Sequence, residues 1–506
     1  MGVFFSKQPP PTVSTDQVIP FRFADDFPYT RGLCLDIHFR FDDVLDPEKL
    51  RDALERLLQK DGWRKLGARL RRTKDDKLEY HVPAEFSEKR PAVLYSTDKH
   101  NASISDHPVL SQLPRGSGER PALFESPIKF RPYMRAANGP EHINDWLYAD
   151  IPQLVVHVIG FNDATIITVT FMHTLTDAMG IVALLRAWTA VLRGEDEKVP
   201  PFVGFDKTDD PIETLHKEIP ASKFVLANRV VKGLEFFKFV VRMIFELVWW
   251  PTDEGGTVFV PGEYIKTLRE SAIAELSKTQ TSSDKDSDMA KPFLSESDVL
   301  VAWWMRVLAR TINPPPHRTI TLMNVFDIRG VLAELGRVSS PNIALFANAT
   351  YASTSLIPAG DFISPDVPLS SLASRIRNAI DTQRTPEQLQ AQAALLRESV
   401  EKTGHAPLMG DSGMLLTAVS NWHRGKLFQV DFSAAVVAQK AVSRANRPKE
   451  SQTGKPSFIT TSATYSGFSI RYSQAVIGKD LAGNWWLTSC LRAGMWKKVA
   501  EQIQIL

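Results

Sequence analysis

The residue pattern best suited to chemistry in this chain is a histidine with an aspartate four positions on, in Phe171-Met172-His173-Thr174-Leu175-Thr176-Asp177-Ala178-Met179-Gly180. Imidazole titrates near neutral pH, so a histidine presented to a cleft can take the proton from an attacking hydroxyl. His38 and Asp42 have the same spacing and serve as an internal control. They lie inside an alternating run, Gly32 to Phe41, where even spacing merely puts both on one face of a strand. His173 instead ends an apolar run, and a helical pattern begins near Asp177. At such a junction a histidine can project into a cleft while an acid at the helix N-cap accepts backbone donors. Taken alone, the pair fits a packed histidine beside a plain N-cap as well as it fits a base.

The elements that must position this pair follow from periodicity. Val155 to Ile159 and Ala164 to Met172 read as paired strands, followed by a helix from Asp177 to Leu192 with Ile181, Leu184, Leu185, Trp188 and Leu192 on one face. Upstream, Pro47 to Leu58 is a helix with Asp46 as N-cap, and Leu66 to Leu70 and Leu78 to His81 are short strands. Residues 94–121 read as a long irregular excursion and Lys278 to Lys291 as a solvated linker. Beyond it, Glu296 to Thr311 is a helix opened by Ser295 and Asp298 at capping-box spacing, and Thr385, Pro386 and Gln388 start another that runs to about Glu401. Strands are expected at Thr319 to Val325, Ile343 to Ser353, Met414 to Val419, Phe458 to Ala463 and Gly467 to Tyr472, before a terminal helix rich in Trp and Leu. Two halves in which strands and helices alternate indicate an α/β (α+β) class.

Composition prunes the alternatives. The 506 residues are 43% hydrophobic and 23% charged, with 60 Lys+Arg against 58 Asp+Glu, the profile of a globular protein with a sizeable core. A net charge of +2 gives no basic footprint for nucleic acid, and none is expected as a partner. Cys34 and Cys490 make neither a disulfide framework nor metal spacing, so no metal is expected. The N-terminus lacks the form of a secretory signal; a cytoplasmic setting is expected, with the sequons at Asn101 and Asn348 unmodified. Gly2 and Ser6 fit a loose myristoylation pattern, which gives only marginal membrane affinity. Phe236 to Trp250 is too short and too charged to span a bilayer. Lys232, Glu235, Lys238, Arg242 and Glu246 recur at steps of three and four, so residues 232–250 form an amphipathic surface helix, with membrane contact as the lesser reading. Nucleotide-phosphate, dinucleotide, zincin and serine-hydrolase motifs are absent.

Several further segments, in order along the chain, resemble the BAHD acyltransferases, and specifically their fungal branch. His173 to Gly180 is similar to that family's H-x-x-x-D element, and Gly62-Trp63-Arg64-Lys65-Leu66-Gly67-Ala68-Arg69-Leu70 to the stretch after its first helix. Asp327-Ile328-Arg329 and Phe346-Ala347-Asn348 resemble its D-x-R and F-G-N elements, with alanine replacing glycine. Ser420-Asn421-Trp422 and then Asp431-Phe432-Ser433-Ala434-Ala435 resemble S-x-W and D-F-G-W-G, the second having lost both glycines and the tryptophan. The resemblance implies two chloramphenicol-acetyltransferase-like domains with a solvent channel between them: residues 1–215 carrying the motif, 216–292 as crossover helix and linker, and 293–506.

The same resemblance implies an acyl-CoA-dependent transfer, of acetyl in particular, to a hydroxyl of a hydrophobic secondary metabolite such as a terpenoid or polyketide. The enzyme is expected to be a monomer with no permanently bound cofactor. His173 would be the general base, Ser420 and Trp422 would supply donors to the oxyanion, and Asp177 would pair with Arg329 rather than with the histidine. Asp431 would support the loop near the coenzyme channel, whose binding residues are left unassigned. A stand-alone condensation-type domain would need H-H-x-x-x-D-G, where Met172 and Ala178 stand here. A silent binding protein of the same fold is the third reading, against which intact His173 argues.

Overall fold

The computed structural model describes residues 8–205, 210–283, 292–437, 451–467 and 471–505. Gly2 and Ser6 of the expected myristoylation pattern lie outside the described residues, as do 284–291 of the expected linker and 468–470 of an expected strand.

Two large sheets organise the chain. The first has five strands in the spatial order Phe458–Tyr465, Leu33–Phe41, Thr165–Met172, Val155–Gly160 and Leu94–Lys99, antiparallel except for the last pair. The second has seven, in the order Thr350–Pro358, Thr319–Asp327, Leu415–Asn421, Gln474–Lys479, Trp485–Arg492, Asp253–Val260 and Ala122–Phe124. Leu415–Asn421 runs parallel to both of its neighbours there. Each sheet takes one strand from the opposite half of the sequence, Phe458–Tyr465 in the first and Ala122–Phe124 in the second. This is the mixed α/β architecture expected.

The expected helices form where local signals are strong. Asp46 Oδ1 accepts from the backbone N–H groups of Glu48 and Lys49 to start Pro47–Leu58, whose Leu50, Leu54, Leu57 and Leu58 are fully buried. Each such leucine contributes about 1.5–3 kcal/mol by leaving water. Against it packs Ala178–Leu192, fixed by the Trp188 indole N–H donating to Leu50 O at 2.9 Å. Ser295 and Asp298 close their capping box at the start of Glu296–Ile312.

Elsewhere tertiary contacts overrule the pattern. Leu66 to Leu70 is a strand only in its last two residues: Asp61–Gly67 is a 3-10 turn, held where Lys65 Nζ reaches Phe346 O at 2.8 Å, and the strand is Arg69–Arg72. The supposedly irregular stretch opens with an edge strand, Leu94–Lys99, whose polar, half-exposed side chains hide its parallel pairing with Val155–Gly160. Lys278 to Ser283 of the expected linker instead end the helix Gly262–Ser283. Ile343 to Ser353 is broken into Ala344–Leu345 and Thr350–Pro358, because the main chain between them is spent on the site described below. Gly467 to Tyr472 is not a strand in its described residues; the strand starts at Gln474. The first part of the Trp-rich tail is the strand Trp485–Arg492, and the terminal helix is Trp496–Ile505.

Candidate active site

His173 stands one residue beyond the end of Thr165–Met172. The antiparallel pairing Cys34↔Met172 continues for one more bond, His173 N–H to Leu33 O at 2.8 Å, so the sheet itself delivers the histidine backbone. The side chain borders a cavity. Nδ1 is buried against its own main chain with no partner of good hydrogen-bond geometry, leaving Nε2 as the nitrogen accessible from the cavity. Burial pushes the imidazole pKa below its usual 6.5, outweighing the Asp177 charge, so the ring is neutral at pH 7. Tyr29 meets the ring edge-on with centroids 5.8 Å apart. His38, by contrast, is sealed between Thr168 and Ser462, each at 2.9 Å, and burial drives its pKa to about 4.

Asp177 caps Ala178–Leu192 through Oδ1, which accepts Gly180 N–H at 3.0 Å. Its carboxylate also receives both guanidinium nitrogens of Arg329 at 3.0 Å, and Oδ2 accepts Ala349 N–H at 2.9 Å. No lone pair is left for His173. Arg329 further donates to Asp327 Oδ1 and Leu345 O, both at 2.7 Å, so this buried cation joins three segments. Gly180 fits because a Cβ there would lie 1.8 Å from Thr176 Oγ1.

Residues 346–349 explain why the strand expected at Ile343 to Ser353 is interrupted. Phe346 O accepts from Lys65, Asn348 N–H donates to Asp25 Oδ1 at 2.7 Å, and Ala349 N–H goes to Asp177. Asn348 Nδ2 bridges Asp25 Oδ1 and His173 O, each at 2.9 Å. Ala347 replaces the glycine of the resembled pattern without strain, since its φ is not positive. Burial raises Asp25 to about 6 and lowers Lys65 to about 8, each moderated by the other's charge. Local sequence patterns do not reveal Asp25 or the contacts of Lys65 and Asn348; the resembled Gly62 to Leu70 and F-x-N stretches contain Lys65 and Asn348 but assign neither a role.

Ser420 and Trp422, at the end of Leu415–Asn421, also line the cavity. The Trp422 indole N–H donates to Ser420 Oγ at 2.9 Å, which leaves the serine hydroxyl hydrogen free to donate onward. Asp431 does not reach the cavity. Its Oδ1 caps Ser433 N–H at 2.9 Å and its carbonyl accepts from Arg193, while Phe432 packs edge-on against Phe41 and Trp188.

The cavity has a volume of about 830 Å³ and is walled by both sheets: Leu35, Ile37 and Phe171 from the first, Met323, Ala418 and Ser420 from the second. Tyr29 and Ile128 border it and are 45% and 51% exposed, so it opens to solvent. A neutral imidazole, a free hydroxyl donor and apolar walls in one cavity can deprotonate a nucleophile and stabilise an oxyanion away from bulk water.

Residues 140–436 match the family model described as "Transferase family". Over its whole length the chain is 43% identical to Acetyltransferase adrJ of Penicillium rubens, across 99% of that protein. Acetyltransferase sphE of Aspergillus fumigatus is 42% identical over 98% of this chain and 96% of its own. A Sordaria araneosa protein named Transcriptional regulator sdnM is 41% identical over the full length of both chains. Among solved structures, F. graminearum TRI101 complexed with ethyl coenzyme A shares the fold, with a TM-score of 0.61 over 96% of each chain at 14% identity.

Proposed function

Because the chain belongs to the Transferase family, the BAHD acyltransferases, we propose that it carries an acyl group, acetyl in particular, from coenzyme A to a hydroxyl of a hydrophobic secondary metabolite such as a terpenoid or polyketide. The observation that carries this reading is the neutral, cavity-facing imidazole of His173. Nε2 takes the proton of the acceptor hydroxyl as its oxygen attacks the thioester carbonyl. The resulting oxyanion accepts the Ser420 hydroxyl, which Trp422 holds in place from behind. Collapse expels the coenzyme A thiolate, which recovers the proton from the imidazolium, so the base is regenerated. General-base assistance of this kind is worth about 10²–10⁴ in rate.

Asp177 and Arg329 act by fixing the loop that aims His173, and Asp431 by anchoring its own loop to the first lobe. Acyl-CoA is a co-substrate in this scheme and no permanently bound group takes part. Support for that donor comes from the TRI101 structure of the same fold, complexed with ethyl coenzyme A. In this reading the two sheets are the centres of two chloramphenicol-acetyltransferase-like lobes drawn mainly from 1–215 and 293–506, with Asp253–Val260 of the 216–292 crossover adding a strand to the second sheet and Ala122–Phe124 and Phe458–Tyr465 exchanged between the lobes, and the enzyme works as a monomer in the cytoplasm.

The test is release of free thiol from acetyl-CoA with a panel of terpenoid and polyketide alcohols, the product followed by mass. Release that requires an alcohol supports the proposal. Turnover only with a carrier-protein thioester would identify a condensation-type enzyme instead, and turnover with neither donor would leave a binding protein.

A further inference from the structure

The helix Gly233–Trp249 carries its apolar residues on the outside. Leu234, Phe237, Val241, Ile244, Phe245 and Val248 are each between 46 and 74% exposed and, at about 100° per residue, fill one arc about 100° wide. Trp249 extends the arc at 65% exposure. The opposite face packs on the body through Phe236, Phe239, Val240 and Met243. The charged stripe lies between the two. Lys238 and Arg242 border the exposed arc on one side; Lys238 pairs with the equally exposed Glu235 at 2.6 Å, Arg242 reaches Gly413 O at 3.3 Å, and Glu246 sits further round against Arg318. Exposed Lys232 precedes the helix. One border of the apolar surface is therefore net positive, with Lys232, Lys238 and Arg242 against the single exposed carboxylate of Glu235.

We propose that this helix docks on a lipid bilayer bearing anionic headgroups, lying in the plane of the interface with its exposed arc among the acyl chains. Among the described residues no helix is long and apolar enough to cross a membrane, which leaves the in-plane position. An apolar arc with one net-positive border and a terminal tryptophan complements such a surface. A second copy of this chain is the competing occupant, and the measurement below separates the two. Leu408 and Leu416 pack beneath the helix and also line the cavity, so the inner face of the docking helix is part of the wall behind the cavity. This inference concerns where the protein sits and stands whether or not the acyl-transfer reading does.

The test is flotation of the unacylated full chain with vesicles of phosphatidylcholine alone and of phosphatidylcholine mixed with phosphatidylserine. Binding is expected to the mixed vesicles, weakened by salt, and at least about tenfold weaker for a Phe237→Glu/Val248→Glu double variant. Both positions are exposed, so its thermal unfolding should match the wild type. Should the variant fail to fold, quenching of wild-type fluorescence by brominated lipid, diminished in Trp249→Phe, reads the same contact. No flotation of the wild type, or equal flotation of both proteins, would overturn the proposal. So would a dimer seen by light scattering that the double variant abolishes, which would assign the face to a second copy.

Discussion

Arg329 closes a two-point ion pair on Asp177, both N–O distances being 3.0 Å, and draws the carboxylate of the motif away from the histidine four residues before it. With Gly180 and Ala349 also donating to it, Asp177 ties the start of one helix to two segments of the other half of the chain. In the proposed mechanism the proton-transfer site and its support are thus separate parts of one short motif.

Breaking that pair should unfold rather than merely inactivate. Removing one partner of a buried ion pair costs about 3–5 kcal/mol, so Arg329→Met should lower the thermal midpoint and activity together, and Asp177→Asn should do so to a lesser degree. Thermal unfolding monitored by circular dichroism checks this. An Asp177→Asn protein with an unchanged midpoint but the activity of a His173 knock-out would instead mean that the aspartate takes part in proton transfer.

Asn348 should control the aim of the base. Asn348→Ala removes the two side-chain bonds, from Nδ2 to His173 O and to Asp25 Oδ1, and a displacement of about 1 Å at a reacting group can cost 100-fold. The expected result is a kcat lowered about 10–100-fold with KM for acyl-CoA nearly unchanged, measured by initial rates. A pure rise in KM would contradict a positioning role.

The pH dependence follows from burial. Transfer needs the unprotonated ring, and burial moves the His173 pKa downward, so the acid limb of kcat/KM should fall below pH 6.5 with a plateau above it. A limb centred above neutrality would show that the nearby carboxylate, not desolvation, dominates the ring.

How much of this the sequence discloses depends on the range of the interactions. The strand before His173 and the helix after Asp177 are legible because alternation, N-capping and helical periodicity are local signals. Ser420, Trp422 and Arg329 are found only by resemblance, and the indole-to-serine bond not even then. Asn348 and Asp25 stand 323 positions apart, and nothing in either neighbourhood signals their contact. The same cause broke the expected strand at Ile343 to Ser353, where Phe346 O and the N–H groups of Asn348 and Ala349 leave the sheet to serve Lys65, Asp25 and Asp177. For Gly233–Trp249, periodicity finds the faces but not which one the body covers.

The central claim is that the His173 imidazole is the base. The measurement that tests it most directly is thiol release from acetyl-CoA by purified His173→Ala in the presence of an accepted alcohol, alongside its thermal midpoint. The account predicts a protein with a wild-type midpoint and a rate reduced at least about 100-fold. A folded His173→Ala enzyme turning over within about threefold of wild type would contradict it.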